Sequence, residues 1–146
     1  MLKLEAERAL ARELFPLAAV VTPNLDEASR LVGRKLKTPQ AAREAARELA
    51  KKWKVPFLVK GGHLQQEVAR DYLAWPNGKM RVFSAKRIQG VETHGTGCTY
   101  SAAICAALAQ GLSLEVAVAK AKGFITRAIR QHLRIGRYTP LNHLGG

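Results

Sequence analysis

Between Thr93 and Ala103 the chain reads THGTGCTYSAA. Gly95 and Gly97 bracket Thr96, Cys98 follows at once, and a small-residue helical pattern begins there. Glycines allow backbone angles that turn successive N–H groups inward, forming a concave nest for an anion. A helix starting at the same point adds its positive N-terminal end. A thiol on the first turn of such a helix ionises more readily than a free one. Cys98 would then be a base or a nucleophile beside an anion cradle. A glycine-rich helix start with an incidental buried cysteine has the same spacing, and spacing alone leaves both readings open. No GxxxxGK[ST] run occurs, which excludes a Walker A loop.

Two further stretches carry polar groups at useful spacing. In TPNLDEA, Asn24 and Glu27 lie three residues apart, so both side chains reach one spot. An amide and a carboxylate there suit a hydrated Mg2+, which takes oxygen ligands and keeps several waters. The same pair also fits an N-cap with its capping-box partner. In LVKGGH, Lys60 stands at the tip of an apolar run and is followed by Gly61 and Gly62. That arrangement suits contact with a phosphate chain, and equally a solvated lysine at a turn. His63 reads as a turn histidine and His94 as a loop histidine.

These residues need elements to hold them. LKLEAERALAREL places Leu2, Ala6, Ala9, Leu10 and Leu14 at helical spacing, with Pro16 as the stop. AAVVT reads as a short buried strand and NLDEASRLVG as a helix closed by Gly33. Thr38 caps a second helix, with Pro39 at its first position, running to about Trp53. VPFLVK is another buried strand. EVARDYLAW and MRVFSAKRI form a hairpin around PNG. From Gly97 to Gln110 the residues are small or apolar nearly all round, which predicts a buried helix. Ser113 caps a last long helix that ends before Gly136.

Strands alternating with helices indicate an α/β layered fold with a largely parallel sheet. In such a sheet ligands bind outside the carboxyl ends of the strands, and all three polar stretches fall at such ends. A lysine, a magnesium-competent pair and an anion nest are together the parts of a nucleoside-triphosphate site. In phosphoryl transfer, catalysis is mostly positioning and charge neutralisation. Only two strong core strands and a hairpin are present, leaving a sheet edge open. The 146 residues thus read as one domain, and as part of a larger one.

The charge of +13 suits nucleic acid, a membrane surface or a polyphosphate ligand. The basic groups are scattered as solvated faces, however, and no nucleic-acid module accompanies them. No apolar run approaches the roughly 18 residues of a membrane span. MLKLEAERAL has neither the apolar core nor the cleavage site of an export signal, so the expected compartment is the cytoplasm. Cys98 and Cys105 lie two helical turns apart, about 10 Å, too far for a disulfide.

VVTPNLDEASRLVG, LVKGGH, THGTGCTYSAAICAALAQG and IGRYTPLNH together resemble the hydroxymethylpyrimidine/phosphomethylpyrimidine kinases of thiamine biosynthesis. These belong to the ribokinase-like superfamily, with a three-layer α/β/α fold and a mainly parallel sheet. The resemblance spans about Leu14 to His143, and THGTGCT is its most specific element. It implies ATP and Mg2+ as cofactors, and a small pyrimidine as acceptor. Cys98 would be the base at the hydroxymethyl group or the phosphate acceptor. Gly95, Thr96, Gly97 and Cys98 would supply an anion hole of backbone amides. Asn24 and Glu27 would organise Mg2+ and its waters, and Lys60 would neutralise the nucleotide phosphates. The adenine would lie near Val118 to Lys122. Glu92, Gly90 and Tyr100 depart from the residues usual in the family.

The likeness is to the C-terminal half of that fold, so a poor or inactive kinase is expected of the isolated chain. A homodimer is a further implication. The alternatives are a pyridoxal kinase of the same cysteine-containing kind and a non-catalytic half-domain module. A cysteine acyl-transfer enzyme pairing Cys98 with His94 would leave Lys60 and the Asn24–Glu27 pair unexplained.

Overall fold

The computed structural model describes residues 4–62, 67–88, 95–134 and 139–144. Its contacts divide the chain into two compact units, Met1–Gln65 with Ala69–Val82, and Gln66–Val68 with Phe83–Gly146.

In the first unit, helix α1 (Leu4–Ala9) runs directly into a π-helical turn (Leu10–Leu14) and one 3-10 turn (Phe15–Leu17). The stop expected at Pro16 is displaced. The proline sits inside the 3-10 turn, near a helix start where its missing N–H removes no ladder bond. The wider π turn also rotates the buried face. Ala11 and Phe15 point inward, whereas Leu10 and Leu14, expected on the apolar face, are exposed.

Helix α2 (Leu25–Val32) ends at Gly33, whose φ of 73° is left-handed, as the glycine predicted. Helix α3 (Pro39–Trp53) starts where Thr38 Oγ1 accepts the Ala41 N–H at 3.1 Å. Its stripe Ala42, Ala45, Ala46, Leu49 and Ala50 is buried. Strands β1 (Phe57–Lys60), β2 (Val68–Ala74) and β3 (Met80–Lys86) form a sheet in the order β1-β2-β3. The predicted PNG hairpin closes with Gly78 N–H donating to the Trp75 carbonyl at 3.0 Å.

β1 and β2 are antiparallel, with Phe57 opposite Ala74 and Lys60 opposite Asp71. Parallel pairing is limited to two bridges, Val21 with Phe57 and Asn24 with Lys60. The buried strand expected at AAVVT is therefore a half-buried bridging segment. Pro23 accounts for the shortfall. Its carbonyl accepts the Lys60 N–H at 2.9 Å, but it has no N–H to return to β1.

Alternation along β1 sends Phe57 and Val59 to one face and Leu58 to the other. Phe57, Val59, Tyr72 and Ala74 belong to the core cluster, with Phe15, Leu36 and the buried stripe of α3. Phe15 stands edge-on to both Trp53 and Phe57, with ring centroids 5.4 and 5.6 Å apart. Leu58 and its cross-strand partner Leu73 are buried on the opposite face.

In the second unit, α4 (Thr96–Ala109) packs against α5 (Leu114–Arg130). Ser113 caps α5 by accepting the Val116 N–H at 3.5 Å. The chain beyond α5 turns back on it, with Asn142 N–H donating to the Ala128 carbonyl at 3.3 Å. α4 departs from the fully buried helix expected. Only Tyr100, Ile104 and Ala107 are buried, while Ala102, Cys105, Ala106 and Ala109 form an exposed face. Within this unit α5 covers one stripe of α4, and one stripe is what is buried.

The first unit's stability should rest on the α3–sheet contact. Leu49→Ala should lower the unfolding free energy by about 2–5 kcal/mol. Leu17→Ala, at a side chain 82% exposed, should change it by less than about 0.5 kcal/mol. Urea denaturation of the two variants checks the contrast.

Candidate active site

Three of the sequence-predicted residues meet in the first unit. Val21–Asn24 runs parallel to β1, so both segments end at the same edge, and α2 starts there. The bridge between Asn24 and Lys60 sets the amide residue beside the lysine. Glu27 lies on the first turn of α2, bonded to Asn24.

The alternatives for Asn24 and Glu27 resolve locally into a complete capping box. Asn24 Oδ1 accepts the Glu27 N–H at 2.8 Å, and Glu27 Oε2 accepts the Asn24 N–H at 2.7 Å. This does not exhaust either group. An amide oxygen has a second lone pair, and Glu27 Oε1 is outside the cap on an exposed side chain. Among the described residues no cluster of three or more His, Cys, Asp or Glu side chains could hold a metal ion. The oxygens left outside the cap are those that could face a hydrated ion.

Lys60 is half-buried at the end of β1. Beyond it, the Gly61 N–H donates to Asp71 Oδ1 at 3.1 Å. Burial pushes the phenol of the neighbouring Tyr72 above its ordinary pKa, with Arg70 and Arg43 opposing. Tyr72 stands opposite Val59 on the core face of the sheet and is neutral near pH 7.

The other predicted group lies in the second unit. Gly95, at φ 83°, is the N-cap of α4, and Thr96, Gly97 and Cys98 form its first turn. The ladder begins with the Thr99 N–H donating to the Gly95 carbonyl at 2.9 Å. The amides of Thr96, Gly97 and Cys98 precede it and point out along the helix axis. Cys98 is a free, exposed thiol, as is Cys105. The helix start predicted from the glycines is thus in place, and the thiol is not buried.

Thr99 Oγ1 lies 3.2 Å from His143 Nε2, tying the C-terminal segment to the same turn. Lys122 reaches over the Tyr100 ring at 5.8 Å. Val118 is fully buried, so of the two α5 positions expected near an adenine only Lys122 offers surface. His63, Gly90, Glu92, Thr93 and His94 lie outside the described residues.

Sequence reasoning overlooked Asp71 and His143. The signals were a lone carboxylate inside the apolar strand VARDYLA and the histidine closing TPLNH.

A sequence profile of the family described as phosphomethylpyrimidine kinase matches residues 1–142. The chain belongs to the phosphomethylpyrimidine kinase family. Its relatives include the hydroxymethylpyrimidine/phosphomethylpyrimidine kinase of Haemophilus influenzae, 40% identical over 98% of this chain and 55% of that protein. The thiamine biosynthesis bifunctional protein ThiED of Geobacter sulfurreducens is 44% identical over 95% of this chain and 28% of its own length. Among solved structures, an ADP complex of Bacillus subtilis pyridoxal kinase superposes with TM-score 0.90 at 37% identity, over 99% of this chain and 57% of that one. The phosphomethylpyrimidine kinase of Clostridium difficile superposes with TM-score 0.71 at 35% identity, over 88% of this chain and 51% of that one. The fold is therefore the α/β fold of the ribokinase-like kinases. This family member spans about half the length of the single-function kinase relatives, and among its described residues no helix is long and apolar enough to cross a membrane.

The capping box predicts a graded response in this kinase-family chain. Glu27→Gln keeps an oxygen acceptor for the Asn24 N–H and should hold most of the stability. Glu27→Ala should cost about 0.5–1 kcal/mol. Thermal melts of the two variants distinguish them.

Proposed function

We propose that this chain carries the nucleotide-phosphate and proton-transfer groups of a kinase that uses ATP to phosphorylate hydroxymethylpyrimidine and its monophosphate. The observation that carries the reading is the parallel bridge setting Asn24, and with it Glu27 and the start of α2, beside Lys60. The family match over residues 1–142 supplies the reaction class.

In this reading Lys60 neutralises the phosphate chain as a compact point charge. Asn24 and Glu27 hold the waters of Mg2+, which when bound screens the phosphate oxygens. The amides of Gly95, Thr96, Gly97 and Cys98, at the positive end of α4, receive the transferring phosphoryl group. The acceptor oxygen bonds to the γ-phosphorus as the bond to the ADP oxygen breaks. Where the acceptor is a hydroxyl, its proton passes to Cys98 as the base. Lys122 approaches the nucleotide, and Val118 supports the helix from within. A cytoplasmic location and a homodimer complete the reading.

A pyridoxal acceptor is the second reading. It is favoured by the pyridoxal kinases from Bacillus subtilis and Staphylococcus aureus, which superpose with TM-scores near 0.9. Both readings use the same phosphate and base groups and differ in the acceptor pocket.

ADP formation from Mg-ATP, measured on the intact protein with hydroxymethylpyrimidine phosphate or with pyridoxal, tests both. Pyrimidine-dependent ADP formation is expected, weak where this half of the fold acts alone, with Cys98→Ala lowering kcat at least about 100-fold while retaining ATP affinity. Dependence on pyridoxal alone would replace the acceptor, and an unchanged kcat in Cys98→Ala would remove Cys98 from the reaction.

A further inference from the structure

We propose that Asp71 is a positioning residue for Lys60, acting through a backbone latch at Gly61; this rests on the reading of Lys60 as a phosphate contact. Asp71 is only 2% exposed and is the one buried charged side chain among the described residues. A buried carboxylate is costly unless its oxygens are hydrogen-bonded. For strand stability alone an apolar side chain would serve better at this position, in line with Leu73 two residues on. What the carboxylate supplies is an acceptor. Its Oδ1 takes the Gly61 N–H at 3.1 Å, immediately beyond the last ladder residue of β1.

The register makes the contact specific to Lys60. Asp71 stands directly opposite Lys60, so both side chains leave the same face of the sheet. On the other edge of β1, the Lys60 N–H is held by the Pro23 carbonyl at 2.9 Å. Gly61 lies so close to the Arg70 backbone that a Cβ there would run into the Arg70 carbonyl oxygen. Lys60 is thus held at its own amide, at its cross-strand neighbour and at the residue after it. A lysine has a flexible four-carbon stem, so the placement of its backbone decides where the ammonium can dwell.

The test measures Mg-ATP and AMP affinities of the intact protein by titration calorimetry. AMP lacks the β- and γ-phosphates. Asp71→Ala should weaken Mg-ATP about tenfold and change AMP less than about twofold, as expected for losing one charge-assisted hydrogen bond that acts on the phosphate contact. Lys60→Ala should show the same split, and the double variant should be no weaker than Lys60→Ala. Asp71→Asn keeps an oxygen acceptor and should stay within about threefold of the parent.

Equal losses for Mg-ATP and AMP in Asp71→Ala, full additivity with Lys60→Ala, or Asp71→Asn as weak as Asp71→Ala would each overturn the proposal. If Asp71→Ala does not fold, Gly61→Ala disturbs the same latch. It should likewise weaken Mg-ATP without adding to Lys60→Ala, and normal affinity there would overturn the proposal. Unchanged Mg-ATP affinity in Lys60→Ala would remove the phosphate reading and this inference with it. A weakened Lys60→Ala beside a normal Asp71→Ala would remove only the role of Asp71.

Discussion

Four residues, Phe57–Lys60, are bonded to the chain along both edges. Leu58 and Lys60 donate to the carbonyls of Val21 and Pro23 on one side, and the register with Asp71–Ala74 runs along the other. A strand held this way cannot slip by one residue without exchanging its faces. Such a slip would drive Lys60 towards the cluster now filled by Phe57 and Val59. The same bonds locate Pro23, and two residues later the backbone becomes α2. The place of the lysine and the place where the helix begins are therefore one constraint.

Asn24 and Glu27 show how a local folding device and a candidate chemical group share atoms. Each gives one oxygen to the capping box, which sets the direction of the helix start. The remaining lone pairs are thereby aimed without further packing. A pair engaged in this way is poorly suited to grasp a bare ion and well suited to hold its waters. The α4 start is built differently. Its N-cap, Gly95, has no side chain with which to cap it, and the first-turn amides point out along the helix axis, the direction from which an anion would approach.

Much of this was legible in the residues because the signals were local. Thr38-Pro39 marked the start of α3, Gly33 the end of α2, and GTGC the first turn of α4, since each sets backbone angles within a few residues. The misread parts depend on partners distant in sequence. AAVVT has strand composition, yet Pro23 and the shortness of β1 limit it to bridges. The periodicity of the first helix did not show the π turn, so Leu10 and Leu14 were assigned to a face they do not occupy. α4 is apolar all round, but composition cannot say how many neighbours a helix has, and one stripe alone is covered. Asp71 was missed because its reason for being a carboxylate lies ten residues away, at Gly61.

Gly61 is glycine for want of room, not for conformational freedom: its φ is not left-handed, and the obstacle is the carbonyl of Arg70. In evolutionary terms the position is therefore coupled. A lineage could admit a side chain at Gly61 only by moving the Arg70 backbone in the same step. That backbone is itself part of β2, whose displacement would carry Asp71 away from β1. Residues on two neighbouring strands thus become locked together in sequence space by the geometry of a single strand end.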